Sequence, residues 1–315
     1  MSGGSDKTKM SGSDKFKMSG GENAKMSGAT PDGLPPLRDV IERYELRAKK
    51  NLGQNFLLDL NVTRAIARNC GTMENRTIVE VGPGPGGLTR ALLLEGAARV
   101  IAVERDERCR PALEDIAARY PGRLDVHFGD ALEADWPVLL SGISGPVTIA
   151  ANLPYGIGSL LLANWLETEP WPPWFDGMVL MFQREVADRI VAQPNSKAYG
   201  RLSVLSQWRC DAKIVMNLPP EAFTPPPKVS SAVVAFTPRT TLTPACSVKT
   251  LGRVTQAAFG QRRKMLRASL KQLTPMPELL LNEAGLDPTK RAEDLAVSDF
   301  ARMAAIMDGR SKRDV

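Results

Sequence analysis

The sequence predicts an α/β protein with a Rossmann-like, mostly parallel sheet, an antiparallel last strand and a small C-terminal helical domain. Three observations support this prediction. Short apolar segments alternate with helical segments between residues 77 and 182, which is typical of a doubly wound parallel sheet. A glycine-rich loop at residues 82–87 joins the first of those strands to a helix. After Pro238 the pattern becomes helical throughout.

Residues 1–33 precede the part of the chain that is expected to fold. The triplet Met-Ser-Gly recurs there at Met1, Met10, Met18 and Met26, and mostly Ser, Gly, Lys and Asp fill the intervals. Such a segment buries too little apolar surface to offset the entropy lost on ordering. A disordered tail is therefore expected at residues 1–33.

The first two predicted helices flank a loop. Leu37, Val40 and Tyr44 recur at helical spacing, so the first helix is expected to begin near Leu37. The loop at residues 49–57 follows, and Asp59 is the predicted N-cap of the second helix.

The strands and helices of the sheet region come next. The predicted strands are residues 77–81, 99–103, 124–128, 147–151 and 178–182, with helices at residues 88–93, 106–120 and 157–166. Two further strands, residues 212–216 and 231–236, are joined by a proline-rich loop that is too short for a helical crossover. These two strands are therefore expected to pair antiparallel.

Four more helices are predicted after the sheet, at residues 248–259, 262–273, 278–284 and 297–307. Thr and Pro cluster at residues 237–244, which marks a domain boundary. The predicted organisation is thus a tail at 1–33, a sheet domain at 34–239 and a helical domain at 240–315.

Composition excludes several classes of protein. Hydrophobic residues make up 43% and charged residues 24%, as in a normal globular core. No run of 18 apolar residues and no signal peptide is apparent, so neither a membrane span nor secretion is expected. The four cysteines form no CxxC pair and the chain has one histidine, His127. A cytoplasmic protein without a zinc site, and without chemistry that needs two histidines, is expected.

The net charge of +6 is unevenly distributed. Residues 240–315 hold 13 basic and 8 acidic side chains, whereas residues 34–239 are balanced. A basic surface on the helical domain indicates a polyanionic partner such as nucleic acid, and a solvated surface without a partner is the alternative.

The glycine-rich loop indicates a nucleotide-type ligand. Gly82, Gly84 and Gly87 satisfy GxGxxG between a strand and a helix, where the backbone can pass close to a ligand. Alone, this loop also fits a dinucleotide-dependent oxidoreductase or a tight turn. Glu104 ends the second strand and can accept both ribose hydroxyls of an adenosine, or be a surface charge. Asp130 follows the third strand, where it can bind an adenine amino group or cap a helix.

The tetrapeptide Asn152-Leu153-Pro154-Tyr155 follows the fourth strand. An aromatic amine is a poor nucleophile because its lone pair is delocalised into the ring. Two acceptors on its N–H groups, the Asn152 side-chain oxygen and the Leu153 or Pro154 carbonyl, would favour the nucleophilic form. Tyr155 can stack on a base. The alternative is an ordinary Asn-Pro turn.

Together these segments resemble the small-subunit ribosomal RNA adenine dimethyltransferase family, the KsgA type. The matching segments are Gln54–Leu57, Gly82–Gly84, Glu104, Asp130, Asn152–Tyr155, Pro226–Val233, Phe259–Lys264, Gly285–Pro288 and Arg291–Glu293. The resemblance extends from about Leu37 to Met307. One position departs from it, because Gly156 stands where a larger polar residue is expected.

The resemblance implies a class I methyltransferase sheet, with S-adenosylmethionine bound at its carboxyl edge. The implied cofactor-binding residues are Asn55, Leu57, Gly82, Glu104, Asp130 and Asn152. The implied catalytic residues are Asn152, Leu153, Pro154 and Tyr155, with the Asn152 side chain and the Pro154 carbonyl orienting the target amine. No metal is implied.

The implied reaction is dimethylation of N6 on two adjacent adenines near the 3′ end of 16S ribosomal RNA, in the immature 30S particle. A monomer is expected. Candidate RNA contacts are Lys49, Lys50, Arg262, Arg263, Lys264 and Arg267, the last four on a predicted basic helix. Two alternatives stay open: an assembly checkpoint factor that acts mainly by binding, and a methyltransferase of large-subunit RNA. Residues 173–175 could form an apolar wall near the pocket for the target base, or they could pack in the core.

Overall fold

The computed structural model describes residues 30–48 and 53–311. The strands are β1 Phe56–Leu57, β2 Thr77–Val81, β3 Arg99–Glu104, β4 Leu124–Phe128, β5 Val147–Asn152, β6 Gly177–Gln183, β7 Cys210–Leu218, β8 Phe223–Thr224 and β9 Ser231–Pro238. The helices are α1 Leu37–Arg43, α2 Leu60–Ala67, α3 Gly87–Leu94, α4 Arg110–Arg119, α5 Trp136–Leu139, α6 Gly158–Leu166, α7 Arg184–Val191, α8 Arg201–Arg209, α9 Val248–Gly260, α10 Leu266–Ser269, α11 Pro277–Glu283 and α12 Val297–Ser311.

Seven strands form the central sheet, in the order β4-β3-β2-β5-β6-β9-β7. The first five run parallel, and β9 pairs antiparallel with both β6 and β7. The predicted α/β class and the antiparallel pairing at the end of the sheet are therefore confirmed. The chain order reverses between β2 and β5, which is where open α/β sheets bind ligands.

The central strand β2 shows why apolar residues follow one another along the buried sheet strands. All five of its residues are buried. Ile78 packs into the layer formed with α2, α3 and α4, whereas Val79 and Val81 pack into the opposite layer with α6. A parallel sheet covered on both faces needs apolar side chains at successive positions, so no alternation with polar residues is seen.

The helical domain has its own core, formed by α9, α11 and α12 with α8. Leu251, Leu280 and Phe300 are buried in this core, and Val204 and Trp208 of α8 join them. A segment that precedes the predicted boundary at residue 240 thus packs with the residues that follow it. In the described part of the chain, no helix has the length and apolar character that crossing a membrane requires.

Three local predictions are corrected. Helices α5, α7 and α8 and the short strands β1 and β8 were not predicted from the sequence. The predicted helix at residues 262–273 is interrupted: residues 261–264 form a turn and α10 begins only at Leu266. The cause is tertiary, because the N–H groups of Leu266 and Arg267 donate to the carbonyls of Lys290 and Pro288, with Met265 extended before them.

The third correction concerns the end of the predicted tail. Asp32 has 1% of its surface exposed, and its carboxylate pairs with the guanidinium of Arg90 on α3 at 2.7 Å. Arg90 also donates to the Pro35 carbonyl and the Thr30 hydroxyl. The folded part of the chain therefore includes residues 30–33, ahead of the predicted start at residue 34.

Candidate active site

A cavity of about 440 Å³ opens at the carboxyl ends of the parallel strands. Its size lies within the range of small-molecule sites, about 300–1,000 Å³. It is lined by all of the residues predicted to bind a cofactor or the target amine: Asn55, Leu57, Gly82, Glu104, Asp130, Asn152, Leu153, Pro154 and Tyr155. The structure thus brings together residues that the sequence places on five separate segments.

The glycine-rich loop leaves its backbone open to this cavity. Gly82 has a φ of +71°, and a Cβ built on it would meet no heavy atom within 4 Å. At the other end of the loop, a Cβ on Gly87 would lie 2.8 Å from the carbonyl oxygen of Leu57. One glycine therefore keeps space free for a ligand, and the other lets α3 approach the lid segment, which we define as residues 53–57.

Glu104 is a buried carboxylate at the end of β3, with 6% of its surface exposed. Its two oxygens accept hydrogen bonds from the N–H groups of Gly84, at 2.8 Å, and Asp106, at 2.7 Å. Burial raises the pKa of Glu104. A carboxylate has about four lone-pair sites, so Glu104 can accept a further donor such as a ribose hydroxyl.

Asp106 ties the lid segment to the end of β3, a role that sequence reasoning missed. The side-chain amide of Gln54 donates to Asp106 Oδ2 at 3.1 Å, and Arg108 Nε donates to Asp106 Oδ1 at 2.9 Å. The hydrogen bond from Arg108 holds the pKa of Asp106 down at about 2. In the sequence, Asp106 lies in a run of charged residues at 104–108 that has the pattern of a solvated surface.

Asp130 both lines the cavity and closes a turn. Its Oδ1 accepts from the N–H of Leu132 at 2.9 Å, and its Oδ2 lies 3.5 Å from a guanidinium nitrogen of Arg105. No α-helix begins at this turn, because the next helix, α5, starts at Trp136. The cavity-lining position predicted for Asp130 is observed, and whether it binds adenine stays a prediction.

Asn152 contacts the lid segment across the cavity. Its side-chain nitrogen donates to the backbone carbonyl oxygen of Asn55 at 3.0 Å. The nitrogen end of the amide is thereby engaged by the lid, and the oxygen end is left as the acceptor for another group.

The carbonyl of Pro154 differs from its predicted role. It accepts hydrogen bonds from the N–H groups of both Ile157 and Gly158, each at 3.1 Å. A carbonyl oxygen has two lone pairs, so both are committed to the turn that leads into α6. This geometry conflicts with a role for Pro154 as an acceptor for the target amine.

Tyr155 lines the cavity, and its hydroxyl lies 2.7 Å from the Ser231 hydroxyl. Pro173, Trp174 and Phe175 do not belong to the described lining of this cavity. Trp174 stacks on Trp136 with ring centroids 5.6 Å apart, and Phe175 is 2% exposed. Of the two predictions for this segment, the structure therefore supports core packing.

Glu80 is a second buried carboxylate of the cavity that sequence reasoning missed. It is 1% exposed and accepts a hydrogen bond from the Thr89 hydroxyl at 2.6 Å. Burial raises its pKa from an ordinary 4.5 to about 8. Its signal in the sequence is a single charged residue inside the apolar strand that leads into the glycine-rich loop.

The predicted RNA contacts have different surroundings. Arg263, Lys264 and Arg267 are exposed. Arg262 instead pairs with Glu293 at 3.0 Å and donates to the carbonyl of Ser196 at 3.3 Å, which joins the turn after α9 to two other segments. Lys49 and Lys50 lie outside the described residues. Within the described ranges, no group of three or more His, Cys, Asp or Glu is arranged to hold a metal ion.

Comparison with known proteins adds independent findings. The family model described as "Ribosomal RNA adenine dimethylase" matches residues 45–308. A Ribosomal RNA small subunit methyltransferase A from Mesorhizobium japonicum is 62% identical over 275 residues, which cover 86% of this chain and 98% of that protein. A protein of the same name from Ruegeria sp. is 57% identical over 277 residues, or 88% and 98% of the two chains.

Two solved structures share the fold. A dimethyladenosine transferase from Plasmodium falciparum superposes with a TM-score of 0.69 at 24% identity, covering 80% of this chain and 97% of that one. The 23S rRNA methyltransferase ErmE superposes with a TM-score of 0.61 at 23% identity, covering 81% and 100%. At these identities the likeness supports the fold alone.

Proposed function

Because the chain belongs to the ribosomal RNA adenine dimethylase family, we propose that it transfers methyl groups from S-adenosylmethionine to N6 of adenine in small-subunit ribosomal RNA. The observation that carries this proposal is that one cavity is lined both by the Glu104 carboxylate and by the Asn152–Tyr155 segment. A donor site and an acceptor site therefore share one space. Family membership also argues against the dinucleotide-dependent oxidoreductase that the glycine-rich loop alone would allow.

The residues at the carboxyl edge suit S-adenosylmethionine. Glu104 is a buried carboxylate that can accept a ribose hydroxyl, Asp130 has a carboxylate at the cavity wall, and Gly82 leaves room for a ligand beside the backbone. When bound, this cofactor supplies a methyl group on a positively charged sulfur. Asn55 and Leu57, on the lid segment that packs against the glycine-rich loop, would hold it from the lid side of the cavity.

Catalysis would then consist mainly of positioning. The Asn152 side-chain oxygen accepts one N–H of the target amine, which draws the nitrogen lone pair out of conjugation with the ring. Tyr155 stacks on the base, a contact worth about 1–3 kcal/mol. The target base has to leave its own stack first, at a cost of a few kcal/mol, so the stacking contact offsets part of that cost.

We assign the second acceptor to the Leu153 carbonyl. The sequence allowed either Leu153 or Pro154, and the resemblance favoured Pro154. Both lone pairs of the Pro154 carbonyl serve the turn into α6, which leaves the Leu153 carbonyl as the backbone acceptor beside Asn152. In this arrangement Pro154 directs the chain into α6.

The finer identity of the substrate is also proposed. We place the two target adenines next to each other near the 3′ end of 16S ribosomal RNA, in the immature 30S particle. Arg263, Lys264 and Arg267 would contact RNA phosphates, since they are exposed on the basic helical domain. We propose that the enzyme works in the cytoplasm as a monomer.

The test is incubation of unmethylated 30S particles with isotopically labelled S-adenosylmethionine, followed by mass spectrometry of 16S fragments. Two dimethylated adenines in one 3′-terminal fragment are expected. Label in 23S RNA alone would instead support a large-subunit methyltransferase. Particles that bind the protein without acquiring label would support a checkpoint factor that acts by binding.

A further inference from the structure

The hydroxyl of Tyr155 is held by Ser231, a residue to which the sequence assigned no role and which is not part of the described cavity lining. Ser231 is the first residue of β9 and has none of its surface exposed. Its Oγ lies 2.7 Å from the Tyr155 hydroxyl, and either oxygen can be the donor. A buried hydroxyl requires a hydrogen-bond partner, and Tyr155 is the one that the structure provides.

Ser231 is a rigid anchor, because β9 lies between two strands of the sheet. It pairs with Gln183 of β6 on one side and with Leu218 of β7 on the other. Tyr155, by contrast, lies in the loop between β5 and α6. The hydrogen bond therefore connects a loop side chain to one of the most constrained positions of the sheet.

A bond at this point fixes the orientation of the ring. The phenol oxygen lies at the end of the ring opposite the Cβ, so a contact there limits rotation about both side-chain torsions. Stacking requires the ring face to lie parallel to the base, and the Asn152 oxygen has to meet the same base at its edge. If the Tyr155 ring rotated freely, its face would no longer lie parallel to the base, whereas the position of Asn152 would not change.

We propose that Ser231 is a positioning residue that acts through Tyr155, holding the phenol ring at the angle at which the target adenine stacks beside Asn152. This inference rests on the proposed function. Ser231 is not part of the described cavity lining, and it bonds none of the predicted cofactor-binding residues. Its effect is therefore confined to the acceptor side of the reaction.

A double-mutant cycle tests the proposal. Ser231→Ala and Tyr155→Phe each remove one end of the same hydrogen bond, and Tyr155→Phe leaves β9 untouched. Each variant is expected to lower kcat/KM for 30S particles by about five- to tenfold, the usual worth of one hydrogen bond, with unchanged affinity for S-adenosylmethionine by calorimetry. The double variant is expected to lose no more than either single variant, because the bond can be lost only once.

Ser230→Ala is the matched control, since Ser230 is exposed and adjacent in sequence. It should retain full activity and affinity. The proposal would be overturned if the fold-loss of kcat/KM in the double variant equalled the product of the two single-variant losses. Full activity of Ser231→Ala would also overturn it.

A crystal structure of Ser231→Ala supplies a readout that does not depend on activity. The Tyr155 ring is expected in a rotated or mixed orientation, and an unmoved ring would count against the proposal. If wild-type protein fails to label RNA, the proposed function fails by that result alone, while the ring position still decides the role of Ser231.

Discussion

The side-chain nitrogen of Asn152 donates to the backbone carbonyl oxygen of Asn55 at 3.0 Å, across 97 residues of sequence. This bond links the acceptor motif after β5 to the lid segment on the cofactor side. It also decides which end of the Asn152 amide is engaged, and so leaves the oxygen for the target amine. One contact therefore joins the lid segment to the side chain that would orient the target amine.

Replacing Asn152 with Ala should lower kcat for methyl transfer by about 10²–10³-fold, the usual cost of removing one positioned hydrogen-bond partner at a reacting group. Affinity for S-adenosylmethionine should change much less, because Glu104 is untouched. Single-turnover kinetics and calorimetry measure the two effects. Asn164→Ala, at an exposed position of α6, is the control. Full activity of Asn152→Ala would refute its role.

Glu104→Gln should weaken S-adenosylmethionine binding by about 10- to 100-fold. The amide nitrogen of Gln cannot accept a ribose hydroxyl, so one hydrogen bond from the ligand to a charged acceptor is lost, worth about 1.5–3 kcal/mol. Calorimetric titration measures the change. Glu114→Gln, exposed on α4, should bind as the wild type does. Equal affinities of Glu104→Gln and wild type would contradict the ribose-binding role.

Glu80 should make the cofactor-free protein lose stability as pH rises between about 4.5 and 8. In this window the unfolded chain has released the proton of Glu80 while the folded chain retains it, because burial raises the folded pKa to about 8. The unfolded state thus binds fewer protons, and the free energy of unfolding falls with pH. Glu80→Gln should flatten this slope in urea unfolding at several pH values. Glu104, whose pKa is raised in the same direction, will leave a residual slope.

The exposed Glu74→Gln serves as the control for that series and should keep the wild-type slope. Identical slopes for Glu80→Gln and wild type would mean that Glu80 is ionised in the folded protein.

Asp32→Ala should destabilise the protein by about 3–5 kcal/mol. Its partner Arg90 has a side chain only 4% exposed and would remain charged without its counter-ion. Equilibrium urea unfolding gives the change. Glu42→Ala, exposed on α1, should have little effect. A loss below 1 kcal/mol would show that residues 30–33 behave as tail after all.

Arg263→Ala and Arg262→Ala should separate RNA contact from internal structure. Arg263 is exposed, so its replacement should weaken binding to 16S fragments and reduce the slope of log affinity against log salt by about one. Arg262 is engaged with Glu293 and Ser196, so its replacement should lower the melting temperature. Filter binding at several salt concentrations distinguishes them. An unchanged salt slope in Arg263→Ala would remove it from the RNA surface.

Much of the architecture was predictable because its signals are local. Apolar runs of five residues, an Asp59 cap and a strand–glycine–helix junction each depend on neighbours within one turn or strand. The same locality explains the errors. Helix 262–273 was predicted from its own pattern, whereas the backbone of residues 288–290 determines where α10 begins.

The sequence by itself determined the fold class, the order of the central-sheet strands along the chain and the shared cavity of the predicted site residues, because parallel strands bring their carboxyl ends to one edge. Only the tertiary structure decided which atoms of those residues are free. The Pro154 carbonyl accepts the N–H groups of Ile157 and Gly158 at the start of α6. The Asn152 side chain donates to the Asn55 carbonyl, and the Tyr155 hydroxyl bonds to Ser231, 76 residues away. Whether a polar atom already has a hydrogen-bond partner depends on residues that folding brings next to it. No local sequence pattern therefore shows which acceptors are still free to bind a ligand.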